Sequence, residues 1–93
     1  MNKYPIGDFG MDQPVYTPYQ LAQVLRGQRQ FKGLTQKAAG QAVGLLPKTI
    51  SALESHPERS SVESLFKLLS ALDLELVIRP KGTEVREPSP EGW

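Results

Sequence analysis

Between Thr35 and Ser51 the chain reads TQKAAGQAVGLLPKTIS, and no other stretch limits the available folds so strongly. Thr35 can cap a helix, and Gln36 to Val43 follow, with the small side chains Ala39, Ala42 and Val43 at its inward positions. Gly44 is placed to stop that helix, because glycine adopts the left-handed backbone of a tight turn at no steric cost. Leu45 then turns inward ahead of another helix, from about Leu46 to Ser55. Pro47 falls in its first turn, where a missing N–H is harmless, and Ile50 and Leu53 follow at an i, i+3 spacing.

Small residues allow two helices to approach closely, and a left-handed glycine lets the chain turn between them. Together these features specify a helix-turn-helix. The flanking sequence supplies the rest of a helical bundle. Thr17-Pro18-Tyr19-Gln20 is a helix entry with a capping Thr, a Pro at the first helical position and a Gln three residues after the cap. The helix it opens runs to about Phe31, with Leu21, Val24, Leu25 and Gln28 on one face and Gly33 placed to end it. After a polar link, SHPER, Ser60 with Glu63 reads as a second capping box. It opens a helix whose stripe of Val62, Leu65, Phe66, Leu68, Leu69 and Leu72 is expected to close the core over the first and third helices.

The segment DLELVIRP alternates, with Leu74, Leu76 and Ile78 on one side and Glu75, Val77 and Arg79 on the other, until Pro80. It reads as one strand over 74–79. A lone strand leaves its backbone unpaired. Its simplest partner is the same strand of a second subunit, in an isologous dimer; the alternative is pairing with part of the N-terminal arm. The expected fold class is therefore mainly α, a helical bundle with one C-terminal strand pairing across a dimer. Residues 1–16, with Tyr4, Ile6, Phe9 and Tyr16 in no period, read as an irregular arm. Residues 17–79 form the domain, and the polar, Pro-containing 80–93 read as a disordered tail ending in Trp93.

Composition removes several function classes. Ninety-three residues without a cysteine and with His56 alone leave no disulfide framework, thiolate metal site or histidine cluster. No nucleophile–base pair, paired carboxylates or Gly-rich phosphate loop stands out, so neither an enzyme nor a cofactor is expected. No apolar run approaches the roughly 20 residues that span a bilayer, and the N-terminus lacks the apolar core of a secretory signal; a cytoplasmic protein is expected. The net charge of +1 hides an asymmetry. Residues 17–72 carry seven Lys/Arg against three Asp/Glu, while the two flanks are net acidic. A basic middle fits a polyanionic partner, although a solvated basic surface would show the same balance.

If the third helix lies in a major groove, its outward residues are Lys48, Thr49, Ser51 and Ala52. Lysine meets guanine or phosphate, hydroxyls meet base edges or phosphate, and alanine meets a thymine methyl. Gln36 and Lys37 open the second helix, where backbone amides favour phosphate, and Arg26 and Lys32 can add backbone contacts. The series Arg26, Arg29 and Lys32 is equally compatible with a solvated helix face. His56 reads as a surface loop residue.

The pattern LTQKAAGQAVGLLPKTISALES resembles the Xre-type helix-turn-helix of lambda-repressor-like proteins: Thr35-Gln36, Ala39, Gly44, Ile50-Ser51 and Leu53-Glu54 sit where that family carries its common residues. The resemblance implies that Gln36 contacts phosphate and that Lys48, Thr49, Ser51 and Ala52 face DNA. Pro47, also at the DNA-facing end, departs from the family's frequent Gln, and with Leu46 it reduces hydrogen-bonding readout there. YTPYQLA before the first helix, SLFKLLSALDLELVI after the motif, and a tail ending EGW are similar to the HipB-type antitoxins. That resemblance implies a homodimer binding double-stranded operator DNA as an inverted repeat, repressing its own operon and holding a HipA-type serine/threonine kinase toxin. Trp93, isolated at the end of a polar tail, reads as an anchor on a partner, with a chance terminal residue or packing back onto the dimer as the alternatives. A stand-alone repressor and a DNA-independent adaptor are the alternatives.

Overall fold

The computed structural model describes residues 12–81. Four helices follow one another: α1 (Pro18–Phe31), α2 (Gln36–Gln41), α3 (Pro47–Ser55) and α4 (Val62–Ala71), with a 3-10 turn at Pro57–Arg59 between the last two. The entry to α1 is a reciprocal capping box. Thr17 Oγ1 accepts from Gln20 N at 3.1 Å, and Gln20 Oε1 accepts from Thr17 N at 3.0 Å. Its exit uses Gly33 at φ 71°, which lets the Leu34 N–H return to the Arg29 carbonyl at 3.0 Å. Both ends of α1 are therefore fixed by residues within a few positions of them.

Leu25, Ala39, Ile50, Leu53, Leu68, Leu69 and Leu72 form the buried core, and Leu21, Leu34, Leu45, Leu65 and Leu74 pack around it. Helix α4 rests on α2 and α3, and its Leu68 and Leu69 share the core with Leu25 of α1. Toward their N-terminal ends α1 and α4 leave an open apolar groove of about 370 Å³, lined by Val15, Tyr16, Leu21, Leu53, Pro57 and Leu65 among others. Gln28 ties α1 to α4 at the other end: its side chain is buried and donates from Nε2 to the Leu72 carbonyl at 3.0 Å. That carbonyl lies at the end of α4, where intrahelical partners run out.

The sequence expectations need three corrections, at the end of α2, at the cap of α4 and along its apolar stripe. Helix α2 ends at Gln41, and Ala42 is exposed rather than inward. The cap of α4 is Ser61, whose side chain accepts from Ser64 N at 3.0 Å, because Ser60 is consumed in closing the preceding 3-10 turn onto Pro57. The apolar stripe of α4 is only partly used: Leu68, Leu69 and Leu72 are buried, while Val62 and Phe66 are exposed. Residues 74–80, including Leu74, Leu76 and Ile78, have no regular secondary structure in the single chain, and no strand occurs among the described residues. A strand needs a neighbouring backbone to pair with, and the described residues of the single chain offer none there. The N-terminal segment 1–11 and the tail 82–93, with Trp93, lie outside the described residues.

The closeness of α2 to α3 is set at Gly40. This residue is buried, and a Cβ added there would collide with the backbone carbonyl of Leu45 and touch Ile50. Gly40→Ala therefore sets two effects against each other. Helix propensity favours alanine by about 1 kcal/mol, and overpacking against an immovable carbonyl costs about 1–3 kcal/mol or more. We expect the clash to win, with net destabilisation in a denaturant titration; a stabilised variant would show that the crossing is looser than described.

Candidate nucleic-acid interface

Helix α3 buries Ile50 and Leu53 completely and turns the opposite face outward. Pro47, Lys48 and Ser51 are exposed on it, with Thr49 and Ala52 half-buried at its edges. Ser55 belongs to the same face, one and two turns on from Ser51 and Lys48, and its hydroxyl donates back to the Ser51 carbonyl at 2.7 Å. Sequence reasoning omitted Ser55, although the helical period alone places it there.

The turn between α2 and α3 fixes how this face is presented. Gly44 has φ 74°, and the Leu45 N–H bonds the Gly40 carbonyl at 2.8 Å, which directs Leu45 into the core. Thr35 caps α2 as expected, accepting from Ala38 N at 3.0 Å. A buried polar cluster completes the brace. Arg29 grips Glu54 through two bonds, Nε to Oε2 at 2.6 Å and Nη2 to Oε1 at 2.9 Å, and its Nη1 donates to the Leu34 carbonyl at 2.8 Å. Gln36 adds a third donor to Glu54, from Nε2 to Oε1 at 3.2 Å. One carboxylate near the end of α3 thus holds the last turn of α1 and the first residue of α2. Its hydrogen bonding to Glu54 raises the Arg29 guanidinium pKa above its ordinary value; burial opposes the shift and the carboxylate charge adds to it. Arg29 remains charged wherever the protein is folded.

This pairing decides which cations are free. Among the described residues, Arg29, Lys32, Lys67 and Arg79 are matched by Glu54, Asp73, Glu63 and Asp12. Arg26, Lys37, Lys48 and Arg59 are exposed and engage no carboxylate among those residues. Of the sequence candidates, Lys48 and Ser51 are brought together on one exposed face, with Thr49 and Ala52 beside them. Lys37 is exposed at the start of α2 and Gln36 is half-buried there, with one amide N–H already committed to Glu54. Lys32 is committed differently: its Nζ lies 2.7 Å from Asp73 Oδ2. His56 is an exposed loop residue 3.7 Å from Glu58.

A short helix, a glycine turn and a second helix with a polar, cationic outer face, braced from behind, define a DNA-binding helix-turn-helix protein. The family model described as Helix-turn-helix matches residues 20–78. Antitoxin HipB of Escherichia coli O6:H1 strain CFT073 is 33% identical over 79 residues, covering 85% of this chain and 80% of that protein. Antitoxin HipB of Escherichia coli K12 is 32% identical, with 85% of each covered. The chain belongs to the HipB antitoxin family of helix-turn-helix proteins. The solved HipA-HipB-O2-O3 complex and the HipB-O4 20mer complex each contain a similar chain, at TM-score 0.73 and 31% identity, over 75% of this chain and 99% of theirs. Among the described residues no helix is long and apolar enough to cross a membrane.

Proposed function

We propose that this protein is an operator-binding antitoxin of the bacterial cytoplasm, associated with the nucleoid. It acts as a homodimer on an inverted repeat in double-stranded DNA, with one α3 in each of two major grooves about a helical turn apart. It represses its own operon, and it binds and neutralises a HipA-type serine/threonine kinase. The observation that carries the DNA half is the outer face of α3, where Lys48 stands beside Ser51 with no carboxylate partner among the described residues, while Arg29 and Lys32 are paired. The solved HipB relatives, in complexes with O2, O3 and O4 and with HipA, support both halves.

In this arrangement Lys48 and Ser51 reach base edges or phosphate, while Thr49, Ala52 and Pro47 contact the groove beside them. Lys37, Gln36 and Arg26 bind phosphates, and Lys32 contributes once it exchanges Asp73 for the backbone. Residues 74–79 pair with their copy in the second subunit, which covers Leu76 and Ile78 and leaves Leu74 on the core of its own chain. Trp93 anchors on the kinase.

Binding should be titrated at several salt concentrations. Lys48→Ala and Ser51→Ala are expected to weaken operator binding by about 1–3 kcal/mol each, roughly 5- to 150-fold, with unchanged circular dichroism. A lysine on phosphate would also reduce the salt slope by about 1, whereas one on a base would relax sequence preference. Unchanged affinity in both variants rejects the α3 assignment. Co-expression with the cognate kinase should give a stoichiometric complex that is weakened by removing Trp93; a kinase that never co-purifies leaves a stand-alone repressor.

A further inference from the structure

Leu46 is 60% exposed, the only large apolar side chain between residues 35 and 55 that is left outside. Its chain neighbour Leu45 packs against the core. It occupies the N-cap position of α3, in extended geometry, and makes no side-chain capping bond. A serine, threonine, aspartate or asparagine at that position would cap the helix and stabilise it. Leucine gives up the cap without gaining burial, so neither helix stability nor the core accounts for it. Pro47, the next residue, is exposed and has no backbone N–H. The Leu46 carbonyl is already engaged by the Thr49 and Ile50 N–H groups, at 2.9 and 3.2 Å. The leading end of α3 therefore offers a groove apolar surface and no hydrogen bond from either side chain.

In a helix-turn-helix it is the N-terminal residues of the second helix that meet base edges. We propose that Leu46, flanked by Pro47, is a specificity-determining residue that reads the C5-methyl of a thymine in each half-site. The inference rests on the operator-binding function proposed above. The major-groove floor carries one apolar feature, the pyrimidine C5-methyl, which in unmodified DNA is thymine's. Against any other base edge, Leu46 would strip water from donors and acceptors and offer nothing in return. It therefore selects for the methyl and against cytosine and guanine at the same point. Lys48 and Ser51, further along, carry the polar readout.

The test begins by selecting a duplex from a randomised pool with the full chain. Each thymine of the selected duplex is then replaced in turn by deoxyuridine, which keeps the pairing edge and the O4 acceptor and lacks only the methyl. One thymine per half-site is expected to cost the wild type roughly fourfold when replaced in a single half-site and about 15-fold in both, the size of one buried methyl group each. The same replacement should be silent for Leu46→Ala. Leu46→Ser should remain folded, melt no lower because the cap is restored, and lose the preference for thymine at that position. If uracil is tolerated everywhere, or if Leu46→Ala loses affinity to uracil as the wild type does, the methyl contact is wrong while operator binding stands. If no duplex is enriched, operator binding itself fails and the methyl contact falls with it.

Discussion

Glu54→Ala should lower the free energy of unfolding by about 3 kcal/mol and the melting temperature by about 10–20 °C. The Arg29 and Glu54 side chains are only 12% and 5% exposed, so solvent screens the pair weakly. Removing the carboxylate would strand a guanidinium held among α1, the Leu34 carbonyl and α3, and would also release the Gln36 amide. An uncompensated buried charge costs far more than the intact pair contributes. Replacing both partners, as in Arg29→Met with Glu54→Leu, should therefore cost much less than the sum of the single changes. Chemical denaturation of the two single variants and the double variant measures that coupling. A loss below about 1 kcal/mol in Glu54→Ala would mean that the pair behaves like an exposed ion pair and does not brace the motif.

The second large effect is expected in the segment after α4. Leu76, Val77 and Ile78 are 48%, 59% and 88% exposed in the single chain, and the backbone there has no ladder. Ile78→Pro removes an N–H and Leu76→Asp places a charge where two copies would meet. Either should convert the dimer into a monomer in sedimentation or mass photometry. Operator affinity should fall on the order of a hundredfold or more, because two tethered half-site contacts become one. The competing intrachain arrangement has contacts of its own: Arg79 lies 2.7 Å from Asp12, and the Lys81 ammonium lies 5.7 Å from the Tyr16 ring centroid. These are exposed side-chain contacts of small value. Asp12→Ala should consequently leave the dimer intact. A dimer that survives both Leu76→Asp and Ile78→Pro would place the interface elsewhere.

Local chemistry was legible in the sequence wherever a residue and its effect lie within one turn of each other. The Thr17/Gln20 box, the Thr35 cap, the stop at Gly33, the left-handed turn at Gly44, and the burial of Leu25, Ile50 and Leu53 follow from propensity and the 3.6-residue period. Family membership was legible for the same reason, since the motif around Thr35–Glu54 is a local pattern. On α3 the period places Lys48 and Ser51 outward, as well as Ser55, while Thr49 and Ala52 lie half-buried at the edges of that face.

Where two adjacent residues could serve, the sequence did not choose. Ser60 and Ser61 are equivalent until the 3-10 turn onto Pro57 takes one of them. Periodicity places Ala42 inward, but α2 ends at Gln41, two residues early, and Ala42 is exposed.

By itself, then, the sequence determined that there are four helices, the Thr17 and Thr35 caps and the glycine turn, because each is governed by neighbours along the chain. Only the tertiary structure decided which charges are free. Arg29 and Glu54 are 25 positions apart and Lys32 and Asp73 are 41 apart, so no local pattern marks Arg29 and Lys32 as braces while Arg26 and Lys48 remain available. Tertiary packing likewise showed that Leu46 neither caps nor packs, since the exposure of an apolar residue depends on what the rest of the fold leaves uncovered.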